Sequence, residues 1–447
     1  MRRETILHRT IVILSEAPPP QGGGAQSKDL LRSPMRASLA TLLPLALVAC
    51  SAPPDRAVPT ASVRDSAGVQ IVTSADPEWG AGEGWQVDSV PLMVLGANED
   101  DPQQQWPNIQ TAVRLADGSV VVAVDGTLRR FGPDGRFDRV MSVRGEGPGE
   151  FESIGALQVM PGDTLRVHDP WLSRVAFYAP DGRYVREDPP ALAQFEALAK
   201  WVECTPMLLS DGTRLGCQYD SAAVKALGGD PKGENEPGTH RKLIRRWAAS
   251  PTLDTTYPLG MFSGLTSHAV ALAPGRVVYV VHPFDPWPQI AGGGTPVRVA
   301  LWASHDYRIE IWTPTGVLER IVQRVGARRT PREGEAARER PYMARTLGHL
   351  DVATRERVMD AVPRPDSMPA VVDLEFTSDG HLLVQREGML GGQSTSIWDV
   401  FAPDGRFLGA FQIPGRVRII QAGSDFFLVQ RASEEYGALV EVYRVRR

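Results

Sequence analysis

The chain carries eight histidines, at 8, 168, 240, 268, 282, 305, 349 and 381. None forms an HExxH motif, and no pair stands at a metal-binding spacing, which excludes zinc hydrolysis of that kind. His168-Asp169 and His282, with His305 beyond it, hold comparable places after apolar runs in different parts of the chain. A metal-dependent lyase or hydrolase would have to assemble its site from such separated positions. Gly145, Gly147 and Gly149 lie in a glycine-rich stretch ending at Phe151, but neither Lys-Ser/Thr nor a helical run follows, so this is no phosphate loop. The reading assigns no catalytic residue, no metal and no cofactor. Binding chemistry has more candidates. Trp171, Phe284, Trp287 and Trp302 fall in or beside connections between apolar runs, where an aromatic ring stacks on a sugar or anchors a partner. Arg328 and Arg329 open an arginine-rich segment of the type that clamps carboxylates or phosphates, although its interspersed glutamates also fit a solvated face.

The three cysteines are too few for a disulfide scaffold and fit no zinc spacing. The first, Cys50, ends the run LATLLPLALVA (39–49) that follows Met35-Arg36. Eleven apolar residues containing Pro44 are too short to cross a bilayer but suit the core of a signal peptide. Leu47-Val48-Ala49-Cys50 resembles the lipobox of bacterial lipoproteins. That resemblance implies acylation of Cys50, which becomes the new N-terminus, and Ser51 implies sorting to the outer membrane, facing the periplasm or the cell surface. Residues 1–34 are then a start-site overcall or a disordered extension, 35–49 the signal peptide and 50–64 a tether rich in Ala, Pro and Ser. Export brings the other cysteines into an oxidising compartment. Cys204 and Cys217 flank the hairpin signal Asp211-Gly212, so a disulfide between them is expected, the alternative being two separate buried thiols.

These features need a scaffold. Lys+Arg number 48 against 53 Asp+Glu, a formal charge of −5, so no general basic field exists to hold nucleic acid. Glycines (43) and prolines (37) mark a turn-rich chain. From about residue 108 a pattern recurs. An alternating apolar run, a Gly/Asp turn and a β-branched run are followed by a loop, an aromatic-rich run and a second turn. The second turn reads FGPDGR (131–136), FYAPDGR (177–183), IWTPTGV (311–317) and VFAPDGR (400–406). Each unit therefore holds four strands. The fourth unit reads HAVALA, RVVYVV, YRIEIWT, VLERIV, leaving 284–305 as a long loop. The sixth stops one strand short, and WQVDSVPLMVLG (85–96) is placed to complete it, with GVQIV (68–72) as an extra edge strand or part of the same closure. The expected fold is all-β, a six-bladed β-propeller over 65–447 with four-stranded blades. An N-terminal strand pairing with the C-terminal blade closes it, and a short helical insertion lies at about 326–368.

The stretch RGEGPGEF (144–151), followed by DTLRVHDPWLSRVAFYAPDGR (163–183), resembles an NHL-type repeat. The resemblance gives Gly145, Gly147, Gly149, Phe151, Asp169 and Arg174 a structural role, with Asp169 and Arg174 fixing the loop after the second strand. More broadly, residues 62–447 behind a lipobox are similar to exported six-bladed β-propeller lipoproteins, mostly of unknown function. This implies a fold and leaves the activity to be argued from the site.

Four long connections, 221–240, 284–305, 326–368 and 388–395, are expected on one face of such a scaffold, where binding residues tend to sit. In the longest, Val352, Val358, Met359 and Val362 are available to dock a helix. The reading is of a monomeric, membrane-tethered binding or scaffold module for a protein, peptide or glycan. The alternatives are a metal-dependent lyase or hydrolase and a structural envelope protein without a specific ligand.

Overall fold

The computed structural model describes residues 61–106, 109–172, 174–188, 207–219, 237–252, 254–274, 276–386, 395–433 and 437–447. Their architecture is mostly β, in six sheets, with two α-helices. An N-terminal segment contributes β1 (Ala61–Ser66), β2 (Val69–Ser74), β3 (Gln86–Val87) and β4 (Met93–Leu95). The first sheet is β5 (Thr111–Arg114), β6 (Val120–Val124), β7 (Thr127–Phe131) and β8 (Phe137–Ser142). The second is β9 (Ala156–Met160), β10 (Thr164–Asp169), β11 (Arg174–Tyr178) and β12 (Tyr184–Glu187). The third has β13 (Met207–Leu208), β14 (Arg214–Tyr219), β15 (Gly238–Ala249), β16 (Thr256–Ala273) and β17 (Arg276–Val280). The fourth has β18 (Gln289–Gly293), β19 (Arg298–Trp302), β20 (Arg308–Trp312) and β21 (Leu318–Arg324), and is followed by the helices α1 (Glu333–Thr346) and α2 (Val352–Ala361). The fifth is β22 (Asp373–Phe376), β23 (Leu382–Gln385), β24 (Thr395–Phe401) and β25 (Phe407–Pro414). The sixth is β26 (Val417–Ala422), β27 (Phe426–Ser433) and β28 (Gly437–Arg446).

The turns follow from their side chains. In FGPDGR the Asp134 carboxylate accepts from the Arg136 N–H at 3.1 Å, and Gly135 takes φ +76°, which the turn requires. Asp181 and Asp404 accept from Arg183 and Arg406 in the same way, at 3.0 and 3.2 Å.

Second strands bury residues on both faces because both are covered, and β6 is apolar throughout. In β6, Val120, Val122 and Val124 pack towards the sixth sheet, while Val121 and Ala123 pack towards the second. Comparable apolar cores join the third sheet to the fourth, the fourth to the fifth and the fifth to the sixth. Between the second and third, the described contacts are polar. Gln158 Nε2 donates to the Leu208 carbonyl at 2.9 Å, and the buried pair Arg214–Asp188 closes to 2.8 Å.

The segment 85–96 meets the last strand, as expected. β28 pairs antiparallel with both β3, through Val445↔Val87, and β4, through Val440↔Leu95. Trp85 enters the core between the fifth and sixth sheets, and Trp106 that between the sixth and first, donating to the Ala438 carbonyl at 2.9 Å. GVQIV falls on β2, an extra strand parallel to β21 at the edge of the fourth sheet, with β1 outside it.

The fourth unit departs from the sequence reading. HAVALA and RVVYVV belong to the third sheet, where β16 runs on for 18 residues and β17 folds back on it. Residues 284–305 are not one long loop, because they supply β18 and β19, the first two strands of the fourth sheet. Glycine hides β18 from a search for alternation. A Cβ on Gly292 would stand 2.4 Å from the Leu209 side chain, and one on Gly293 would stand 3.0 Å from Phe376. The chain here needs absent side chains, not alternating ones.

Leu95 is fully buried beneath β28, whereas its neighbour Val94 is 39% exposed. Leu95→Ala should therefore lower unfolding free energy by about 2–5 kcal/mol in urea titrations, with Val94→Ala within about 0.5 kcal/mol of wild type.

Candidate functional site

The glycine-rich motif is an internal brace. Asp169 is fully buried at the end of β10. One of its oxygens accepts from the Glu152 and Ser153 amides at 2.7 and 3.1 Å, the other from the Trp171 and Leu172 amides at 2.8 and 3.0 Å. It thereby fixes the loop after β10 and joins it to the crossover from the first sheet. Arg174 holds that crossover instead of its own loop, donating to the carbonyls of Gly147 at 2.6 Å, Glu150 at 3.0 Å and Glu146 at 2.8 Å. Tyr178 donates to the Gly149 carbonyl and packs against the buried Phe151. Gly149 takes φ +75°, the left-handed region that favours glycine.

The other notable assembly lies where the 326–368 connection docks. Residues 238–243 of β15 and the second half of β16 extend past the span that pairs with β14, and β17 completes this arm. Val270, Val278 and Val280 of the arm pack against Met343 and Leu347 from α1 and its end, and against Val358, Met359 and Val362 from α2 and its end. Asp351 caps α2, accepting from the Thr354 amide at 3.0 Å. Val352, also expected to dock, is 64% exposed. Ahead of α1, Arg329 grips the buried Glu335 with two bonds of 2.6 and 2.7 Å, and the Arg332 amide adds a third at 2.8 Å. Burial pushes the Glu335 carboxyl up, yet these donors hold it below its ordinary value.

Polar groups gather under this dock. His268 Nε2 meets Asp285 Oδ2 at 2.8 Å, and its Nδ1 meets Thr239 Oγ1 at 3.1 Å. His282 Nδ1 accepts from the Phe284 amide at 3.1 Å, so its proton sits on Nε2, which donates to Glu339 of α1 at 3.0 Å. Burial lowers the His282 pKa against the opposing pull of Glu339. Arg364 pairs with the second Glu339 oxygen at 2.8 Å. Among the described residues, no group of three His, Cys, Asp or Glu is placed to hold a metal ion.

A second charged set lines the first strands of the last two sheets. Leu374 and Phe376 enter the core towards the fourth sheet, so Asp373 and Glu375 lie on the opposite face of β22. Arg418 of β26 pairs with Asp373 at 2.9 Å. Burial, then the Asp373 charge, push the Glu375 carboxyl up to about 8, while Arg418 opposes them. A carboxyl raised this far by burial and a neighbouring charge is the kind of group that clusters at functional sites. The i, i+2 spacing of Asp373 and Glu375 was present in the sequence, but only the pairing of sheets shows which face they occupy. In Arg416, two residues before Arg418, lost hydration and then the like charges of Arg338 and Arg345 of α1 lower the pKa.

The sequence-derived aromatic set is not brought together as one surface. Phe284 and Trp302 are buried, at 0% and 1% exposure, which removes them as ligand-stacking residues in this structure. Phe284 packs with Met368, and Trp302 donates to the Asp306 carbonyl at 2.8 Å. Trp171 is exposed and Trp287 partly so. Arg329 is consumed by Glu335, whereas Arg328 is open and donates to Ser367 Oγ at 3.2 Å. Cys217 is buried and disulfide-bonded. Cys50 and Cys204 lie outside the described residues, as do 220–236 and 387–394, which include most of two of the expected long connections. No helix among the described residues is long and apolar enough to cross a membrane.

No family model and no curated protein matches this chain. Among solved structures, a Bacteroides fragilis protein described as exported is similar at 11% identity, covering 84% of this chain and 99% of that one, with a TM-score of 0.44. A DUF4221 family member from Bacteroides vulgatus is similar at 7%, with coverages of 81% and 99% and a TM-score of 0.41. The PQQ-bound aldose sugar dehydrogenase of Streptomyces coelicolor is similar at 10%, with 81% and 99% and 0.38. These likenesses are too distant to carry an activity across.

Glu375 supplies a pH test. A carboxyl whose folded pKa is raised contributes its full stabilisation below its ordinary value near 4.5 and loses it as pH climbs through about 8. Glu375→Gln should match wild type in urea titrations at pH 4 and become the more stable protein at pH 9.

Proposed function

We propose that the six sheets are the blades of a closed β-propeller, tethered to the cell envelope through a lipidated Cys50. It works as a binding module whose ligand docks at the end carrying α1 and α2. Cyclic contact of the first strands supports the ring. β18 lies against β22, β22 against β26, β26 against β5 and β5 against β9. Gln158 links β9 to β13, and Gly292 of β18 lies against Leu209 beside β13. Every first strand thus has two first-strand neighbours, the arrangement expected around a shared axis. The pairing of β28 with β3 and β4 supports closure. The buried, disulfide-bonded Cys217 supports a bridge to Cys204 as part of this exported fold.

The observation that carries the binding role is the docking of the 326–368 connection. It is fastened to the arm of the third sheet by an apolar core and by His282–Glu339. Such a dock adds nothing to the stacking of the sheets themselves. It does set two helices, with exposed side chains between their docked residues, on one end of the proposed ring, a form suited to a protein, peptide or glycan ligand.

The test is recovery of partners from envelope extracts on immobilised protein. Replacing 326–368 by a short Gly-Ser linker should abolish the saturable partner that wild type retains, with β-sheet circular dichroism preserved. Equal recovery by both proteins would remove this end as the ligand face.

A further inference from the structure

We propose that Thr239, His268 and Asp285 form a hydrolytic site, in which the Thr239 hydroxyl attacks the acyl carbon of a carboxylic ester. The inference goes beyond the binding role proposed above and does not depend on it.

Sheet register makes the first contact. Thr239 of β15 stands directly across from His268 of β16, and His268 directly across from Val280 of β17. Opposed residues of an antiparallel pair share one face, here the face whose Val270, Val278 and Val280 pack under α1 and α2. Thr239 Oγ1 lies 3.1 Å from His268 Nδ1.

The second contact comes from the turn after β17. His282 holds that turn twice, its carbonyl accepting from the Asp285 amide at 2.9 Å and its Nδ1 from the Phe284 amide at 3.1 Å. Phe284 is buried against Met368. The turn brings Asp285 Oδ2 to 2.8 Å from His268 Nε2. Glu339 of α1 accepts from His282 at 3.0 Å, so the docked helix steadies the segment that carries the carboxylate.

Proton positions follow from these contacts. A carboxylate only accepts, so His268 carries its hydrogen on Nε2, which leaves the Nδ1 lone pair to accept the Thr239 hydroxyl. Nucleophile, base and orienting carboxylate thus stand in series. The His268 and Asp285 side chains are 5% and 6% exposed, whereas Thr239 is exposed. The set runs from a buried carboxylate to a hydroxyl that a substrate can reach.

In the reaction, Thr239 Oγ1 bonds to the carbonyl carbon while its proton passes to His268 Nδ1, and Asp285 balances the imidazolium charge. Collapse breaks the bond to the alcohol oxygen, which leaves with that proton. Water then gives a proton to Nδ1 and attacks the acyl-threonine. The carboxylic acid departs, and the proton returns to Thr239. One ester and one water become one acid and one alcohol. An ester suits this set better than an amide, because an alcohol leaves more readily than an amine.

The test is incubation of the full chain with p-nitrophenyl acetate, with release of p-nitrophenolate followed and the acetyl group located by peptide mass spectrometry after acid quench. We expect release above buffer, with acetyl on Thr239. Thr239→Val removes the hydroxyl at an exposed position and should lower the rate about tenfold or more with thermal melting unchanged, while Thr239→Ser retains activity. His268→Gln should lose it. Asp285 is a positioning residue, and Asp285→Asn should lower the rate and move the midpoint of its pH profile down, because the carboxylate no longer favours the imidazolium. His282, Glu339 and Arg364, the charged groups behind that turn, are unaltered in this variant. No release above buffer, an unchanged rate in Thr239→Val, acetyl on other residues alone, or an unmoved pH profile in Asp285→Asn would overturn the proposal.

Discussion

A β-sheet with two apolar faces cannot exist alone in water, and the described residues make six sheets of four to six strands. Each must be covered on both sides. Apolar cores answer that need at five junctions between consecutive sheets, polar contacts are described between the second and third, and the core between the sixth and first returns the sequence of contacts to its start. Burial is worth roughly 25 cal/mol for each Å² of apolar surface removed from water, so a sheet left with one bare face would lose the larger part of its stabilisation. The proposed ring depends on this geometric requirement, and the pairing of β28 with β3 and β4 is where the two ends of the chain meet it.

Buried charges then act as joints. Asp169 takes four amide donors from two loops, which fixes a crossover that packing alone would leave loose. Asp399 of β24 does the same between sheets, accepting from Tyr307 at 2.8 Å and Arg324 at 2.7 Å, with Arg386 at 2.8 Å. Burial raises the Asp399 pKa even among these cations. Removing one partner from such a set leaves the remainder desolvated and unpaired. Arg338, Arg345, Arg416 and Arg418 differ from these joints in being exposed.

Much of the scaffold was legible in the residues because its turns are chemically explicit. Pro-Asp-Gly-Arg names its own conformation, and the missing last strand together with 85–96 named each other. The NHL-like motif also gave Asp169 its brace role, although Arg174 holds the crossover and not the loop after β10. The fourth unit differs from the sequence pattern where glycine replaces alternation in β18 and where β16 carries HAVALA into the third sheet. Trp302 ends β19 inside the span that reads as loop, whereas Phe284 does lie in a connection, before β18, and is buried there. Asp373 and Glu375 carry no motif. Their significance arises from Arg418 on a strand some 45 residues later, a relation made only by sheet order.

Ring closure is tested most directly by amide hydrogen exchange read by mass spectrometry under native conditions. If β3 and β4 are integral to the structure, amides of Met93, Val94 and Leu95 should exchange together with those of β27 and β28, at the rate of global unfolding. Exchange of the 86–95 segment several hundredfold faster than β27, with β28 still protected, would show the ends of the chain to be unjoined and would contradict the closed ring.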